Sequence, residues 1–136
     1  GELILRIVCE TPWLRDPEKR LGLQPMSSVP ELRLGLSSAG FLVEKEQAAE
    51  DGGKVYSAFS VRYIGTLPET DVLYPFLGKL EPGTAAAAKY AEKVLRELQN
   101  QARGAAHAGE SGREKELRAL METIGSRYLP AGGSAV

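Results

Sequence analysis

Leu3, Leu5, Ile7 and Cys9 alternate with Ile4, Arg6 and Val8 at the start of the chain. Residues 3–10 are aliphatic, partly β-branched and few, which predicts a strand with apolar side chains on both faces. Thr11-Pro12 ends it. Asp16 then predicts a cap, Pro17 the opening of a single helical turn, and Gly22 its close. Residues 23–30 read as a loop.

The stretch 31–65 carries the central ambiguity. Leu32, Leu34 and Leu36 alternate with Arg33, Gly35 and Ser37, which predicts a half-buried strand. A helix from Ser28 is the alternative, because Ser28 and Glu31 have capping-box spacing and would align Val29, Leu32 and Leu36. Residues 41–47 predict a strand that turns polar, and Asp51-Gly52 a hairpin turn. Residues 54–65 predict the longest strand, with Val55, Ser57, Phe59, Val61 and Tyr63 on the core face. Residues 72–80 are apolar but broken by Pro75. They predict a buried irregular connection or an exposed apolar patch.

Thr84 predicts an N-cap for a helix running to Arg103, with Gly104 as its stop and 105–109 as a linker. Its apolar stripe is Ala87, Tyr90, Ala91, Val94, Leu95 and Leu98. Ser111 and Glu114 predict a second helix, striped by Leu117, Leu120, Met121 and Ile124 and ending at Gly125. The fold class this predicts is α+β: an antiparallel sheet of about four strands with two C-terminal α-helices packed against it. A winged-helix-like domain is the alternative. Length predicts a single domain over residues 1–130 and a disordered tail over 131–136.

Composition narrows the function more than the fold. The chain has 17 Lys and Arg against 18 Asp and Glu, a formal charge of −1. No one-sign field draws in nucleic acid or an anionic membrane, so direct nucleic-acid binding is not expected. No apolar run approaches the roughly 20 residues that span a bilayer, and no signal peptide is recognisable. Cys9 is the single cysteine and reads as a small buried hydrophobe in a reducing, cytoplasmic setting. Asn, Gln, Met and Cys are scarce, a bias shared by thermophile proteins.

Catalytic equipment is hard to find. His107 is the single histidine and falls in the predicted linker. No Cys/His cluster has zinc spacing. Gly35 and Gly40 have the spacing of a phosphate loop without the Lys-Ser/Thr that completes it. Glu44, Glu46, Glu50 and Asp51 surround one hairpin. They read as a solvated tip, with a cation site or a small carboxylate enzyme as lesser readings.

Two resemblances stand out. The segment WLRDPEKRLG resembles a short piece near the end of AGC-type protein kinase domains, but only over ten residues and with no other kinase motif. Ala39-Gly40-Phe41-Leu42-Val43 followed by Asp51-Gly52-Gly53-Lys54-Val55-Tyr56 resembles the last helix and wing of MarR- or ArsR-like bacterial regulators. That resemblance implies a winged-helix DNA-binding transcriptional regulator. The helix it implies carries Arg33 as its only cation, and acidic residues crowd the wing.

The leading expectation is therefore a small non-enzymatic intracellular regulator without cofactor or metal. It would dock on a larger protein machine; a bacterial or phage factor binding RNA polymerase is the concrete version. Loop aromatics and their neighbours are the expected protein interface: Trp13, Arg15, Tyr74, Phe76 and Leu77. The competing expectation for these residues is packing at the sheet ends.

Overall fold

The structure is a computed structural model and describes residues 1–129. The tail expected at 131–136 lies outside the described residues. The chain divides into two compact units, residues 1–81 and a helical unit that begins at Pro82.

The first unit is a three-stranded antiparallel sheet with helices. Its elements are α1 (Glu2–Cys9), β1 (Arg20–Leu23), α2 (Val29–Ser38), β2 (Phe41–Asp51), β3 (Lys54–Tyr63) and a single turn, α3 (Tyr74–Leu77). The strand order is β1-β3-β2. Both outer strands run antiparallel to β3, so β1 and β2 are parallel to each other and α2 is the crossover between them. The core is Val8, Leu32, Leu36, Phe41, Val43, Phe59, Val61 and Tyr74, with Ile4, Leu5, Leu21 and Leu23 packed against it.

Three strands are present among the described residues, not the four expected, and the exchange is instructive. Residues 3–10 form α1, not a strand. On a helix Ile4, Leu5 and Val8 meet the core together, which their alternation with Leu3 and Ile7 concealed. Residues 31–36 lie in α2. There Leu32 and Leu36 are buried one turn apart, while Leu34 is 45% exposed. The helix holds despite Gly35, because Leu5 of α1 packs over that glycine and a Cβ there would strike its side chain. Residues 20–23 form β1, where a helical turn was expected, because Leu21 and Leu23 pair beside Val61 and Phe59.

The hairpin β2–β3 follows the predicted alternation, with Ser57, Phe59 and Val61 buried. A β-bulge interrupts the pairing between Val43 and Lys45. The extra residue shifts the inward positions from Phe41 and Val43 to Glu46. Without the bulge, strict alternation would turn Lys45 inward and leave Glu46 on the outer face.

The second unit is a helical hairpin, α4 (Ala85–His107) and α5 (Ser111–Tyr128). The Thr84 hydroxyl accepts the Ala87 N–H at 3.0 Å, as its capping role requires. The helix passes through Gly104 and stops at Gly109. Glu110 N donates to Ala105 O at 2.9 Å and Gly109 N to Ala106 O at 3.2 Å. That is a Schellman stop, with left-handed Gly109 at φ 75°. Likewise α5 passes through Gly125 to Tyr128. Ala105 and Ile124 are both buried, so each helix gains apolar burial beyond the glycine where it was expected to end.

Candidate functional site

The longest continuous chemical feature is on α4. Lys89, Lys93, Arg96, Asn100, Arg103 and His107 recur at helical spacing of three or four residues. At 3.6 residues per turn they fall within about 40° of one line along the helix. Ala87, Ala91, Val94, Leu98, Ala102 and Ala105 occupy the opposite side and are buried. The cations therefore form a ridge on the wet face, roughly 27 Å from Lys89 to His107 at 1.5 Å per residue. Glu92 and Glu97 lie along its margins.

The near-neutral total charge conceals a division between the units. Residues 1–81 carry nine Lys and Arg against twelve Asp and Glu, and residues 82–136 carry eight against six. The first unit is thus at −3 and the second at +2, which together give the −1 of the whole chain. A positive helical unit with a row of cations is a suitable face for a phosphate backbone. The sequence reading missed it because charge was taken over the whole chain and helical period was applied only to apolar residues.

A second charged constellation is buried. Arg33 on α2 and Glu46 on β2 have fully buried side chains and pair at 2.8 Å. Arg33 Nε and Nη2 donate to Glu46 Oε1 and Oε2 at 3.2 and 2.8 Å, and Nη1 donates to Pro75 O at 2.8 Å. Glu46 also accepts the Ser57 hydroxyl at 2.7 Å and the Lys79 N–H at 3.0 Å. The guanidinium lies over the Phe59 ring, 5.7 Å from its centre. Every partner of the carboxylate is a donor, so it is matched and inert. Its role is to tie α2, the hairpin and residues 75–79 together. Gly78 makes this possible, since a Cβ there would sit on Glu46 Oε1.

Glu44, the bulge residue, faces outward and accepts from Arg20 Nε at 3.0 Å and Arg62 Nε at 3.2 Å. Desolvation works to raise its pKa. The hydrogen bond from Arg62 and the charges of Arg20 and Arg62 outweigh it and hold the carboxyl below its ordinary range. With Glu46 locked and Glu44 bridged, the carboxylates of the hairpin do not converge. No group of His, Cys, Asp and Glu among the described residues is arranged to hold a metal ion.

The expected interface residues separate. Trp13 is 65% exposed, with Lys19 Nζ 4.8 Å from its ring centre. Arg15 Nη2 donates to Cys9 O at 3.3 Å. Tyr74 and Leu77 are buried and Phe76 is half-buried. Packing rather than docking occupies Tyr74 and Leu77, because α3 lies against α2. Burial pushes the Tyr74 phenol up, with the Ser37 hydroxyl acting the other way. Both hydroxyls are buried without a hydrogen-bond partner.

No protein-family model matches the chain. No curated protein matches it either. Solved structures do. An uncharacterized protein from Listeria monocytogenes serotype 4b matches with TM-score 0.68 and 18% identity, over 93% of this chain and 58% of that one. The m1A22 tRNA methyltransferase TrmK of B. subtilis matches with TM-score 0.63 and 20% identity, over 91% and 57%. Streptococcus pneumoniae Sp1610, a provisionally assigned tRNA (m1A22) methyltransferase solved in complex with S-adenosyl-L-methionine, matches with TM-score 0.58 and 24% identity, over 93% and 55%. The chain thus spans little more than half the length of these proteins and shares their mixed α/β fold.

The match corrects the leading functional expectation. Proteins that carry this arrangement over nine-tenths of the chain are described as tRNA methyltransferases, so a non-enzymatic regulator docked on RNA polymerase loses its support. The winged-helix regulator falls with it. A helix does precede the β2–β3 hairpin, but α2 is a crossover between parallel strands of one sheet. The expectation that nucleic acid is avoided is overturned too, and the ridge on α4 is the physical reason. No helix among the described residues is long and apolar enough to cross a membrane.

Proposed function

We propose that this chain is the RNA-holding portion of an S-adenosyl-L-methionine-dependent tRNA methyltransferase, working in the cytoplasm. The observation that carries the reading is the extent of the match: 91–93% of the chain, a span that takes in both the sheet unit and the helical hairpin. The cationic ridge of α4 supports it independently, because a methyltransferase acting on tRNA must hold a large polyanion. In this reading Lys93, Arg96 and Arg103 contact phosphates, and Asn100 supplies a neutral donor and acceptor between them. Phosphate contacts fix register and orientation, and base identity is read elsewhere.

The methyl donor is a different matter. Its adenosine would need a close backbone approach, such as a glycine-rich turn between strand and helix provides. The β1–α2 turn, residues 24–28, contains no glycine, and its left-handed residue is Ser28. These residues do not fit the donor, and no step of the reaction is assigned to them.

The test is methyl incorporation. The full-length polypeptide of this reading frame, given labelled S-adenosyl-L-methionine and total tRNA, should label tRNA. Label in protein or DNA instead, or in nothing, would overturn the reading.

A further inference from the structure

The sheet has one open side. β2 is flanked at its outer edge by a parallel bridge between Glu46 and Leu80. Among the described residues no strand pairs with the outer edge of β1. The β1–α2–β2 crossover is of the parallel type, and sheets built from such crossovers are normally extended by further parallel strands and covered on both faces. An uncovered edge strand is a template that proteins rarely leave open.

Apolar surface in the same unit points the same way. The exposed large hydrophobics are Leu3, Ile7, Trp13, Met26, Leu34, Leu67 and Val72, and all belong to residues 1–81. Leu3 and Ile7 stand one turn apart on α1, which already buries Ile4, Leu5 and Val8 in the core. A helix apolar on two sides is built to be covered on both.

The size and chemistry of the cover follow from the comparisons. The match leaves 42–45% of each neighbour's chain unaccounted for, since 55–58% is covered. One neighbour, from Streptococcus agalactiae, is described as a protein of the NADB-Rossmann superfamily, and the β1–α2 turn here lacks the glycines of a nucleotide-holding turn.

We propose that the outer edge of β1 and the Leu3–Ile7 stripe of α1 dock a parallel strand and its helix from a cofactor-holding α/β segment of the same polypeptide. The edge would supply backbone donors and acceptors, and the stripe the apolar contact. The identity of the cofactor rests on the methyltransferase reading; the docking does not.

Amide exchange read by NMR tests this, on the 136-residue protein and on the full-length polypeptide of its reading frame. The β1 amides that do not pair with β3 should exchange roughly 100-fold more slowly in the full-length protein. Equal rates would overturn the proposal, as would a reading frame with no such segment. Slow exchange in the 136-residue protein that depends on its concentration would assign the edge to a second copy and also overturn it. Protection in a full-length protein that transfers no methyl group to tRNA removes the methyltransferase reading and keeps the docking. Methyl transfer without protection does the reverse.

Discussion

Glu46→Gln keeps the shape of the side chain and removes its charge, leaving the buried guanidinium of Arg33 without a counter-charge. Breaking a fully buried pair costs about 3–5 kcal/mol, and the urea midpoint of the sheet unit should fall accordingly. Replacing both partners with apolar residues, Arg33→Met with Glu46→Leu, should recover much of that loss, because no charge then remains buried. Glu44 behaves differently. Its carboxyl titrates below the ordinary range, so it stabilises the fold above the unfolded-state carboxylate pKa, and that contribution fades as pH falls through the folded value. Wild type and Glu44→Gln should therefore differ in melting temperature near neutrality and converge in acid. Tyr74 has the opposite sign. Its phenol is pushed up by burial, so stability present below about pH 10 is lost above it. Tyr74→Phe should flatten the alkaline fall and, by removing a buried hydroxyl without a partner, leave stability at pH 7 equal or about 1 kcal/mol higher. None of these partnerships was legible from residue type. Glu46 read as part of a solvated acidic tip, and only the one-residue bulge turns it inward.

Elements show where local pattern succeeds. The β2–β3 hairpin and α4 were legible because period and turn chemistry agreed: alternation with Asp51-Gly52 in one, an apolar stripe with Thr84 in the other. Residues 3–10 and 31–36 were not, because short aliphatic runs fit both periods and tertiary contact decides. Leu5 packed over Gly35 is that contact, between two helices each read as a strand. The glycines inside α4 and α5 misled for the reverse reason, since burial beyond them outweighs their low propensity. Nothing lies within 4 Å of a Cβ at Gly104 or Gly125. Gly104→Ala and Gly125→Ala should each stabilise the hairpin by about 0.5–1 kcal/mol, read as a rise in thermal midpoint. Gly78→Ala should do the opposite, because its Cβ would displace the Glu46 carboxylate.

At the scale of the whole molecule, function became visible only when charge was counted by unit. A chain at −1 reads as indifferent to nucleic acid, whereas a helical unit at +2 with its cations in one row does not. The fold match names a chemistry, but these residues can be held directly to one part of it, which is holding RNA along α4. The measurement that tests this is tRNA affinity as a function of salt, for the 136-residue protein and for Arg96→Ala/Arg103→Ala. Wild type should show a steep log–log dependence. The double variant should bind at least tenfold more weakly at low salt, with the slope reduced by roughly 2, at unchanged helicity. Wild-type binding that is absent or indifferent to salt, or a double variant with the same slope, would contradict it.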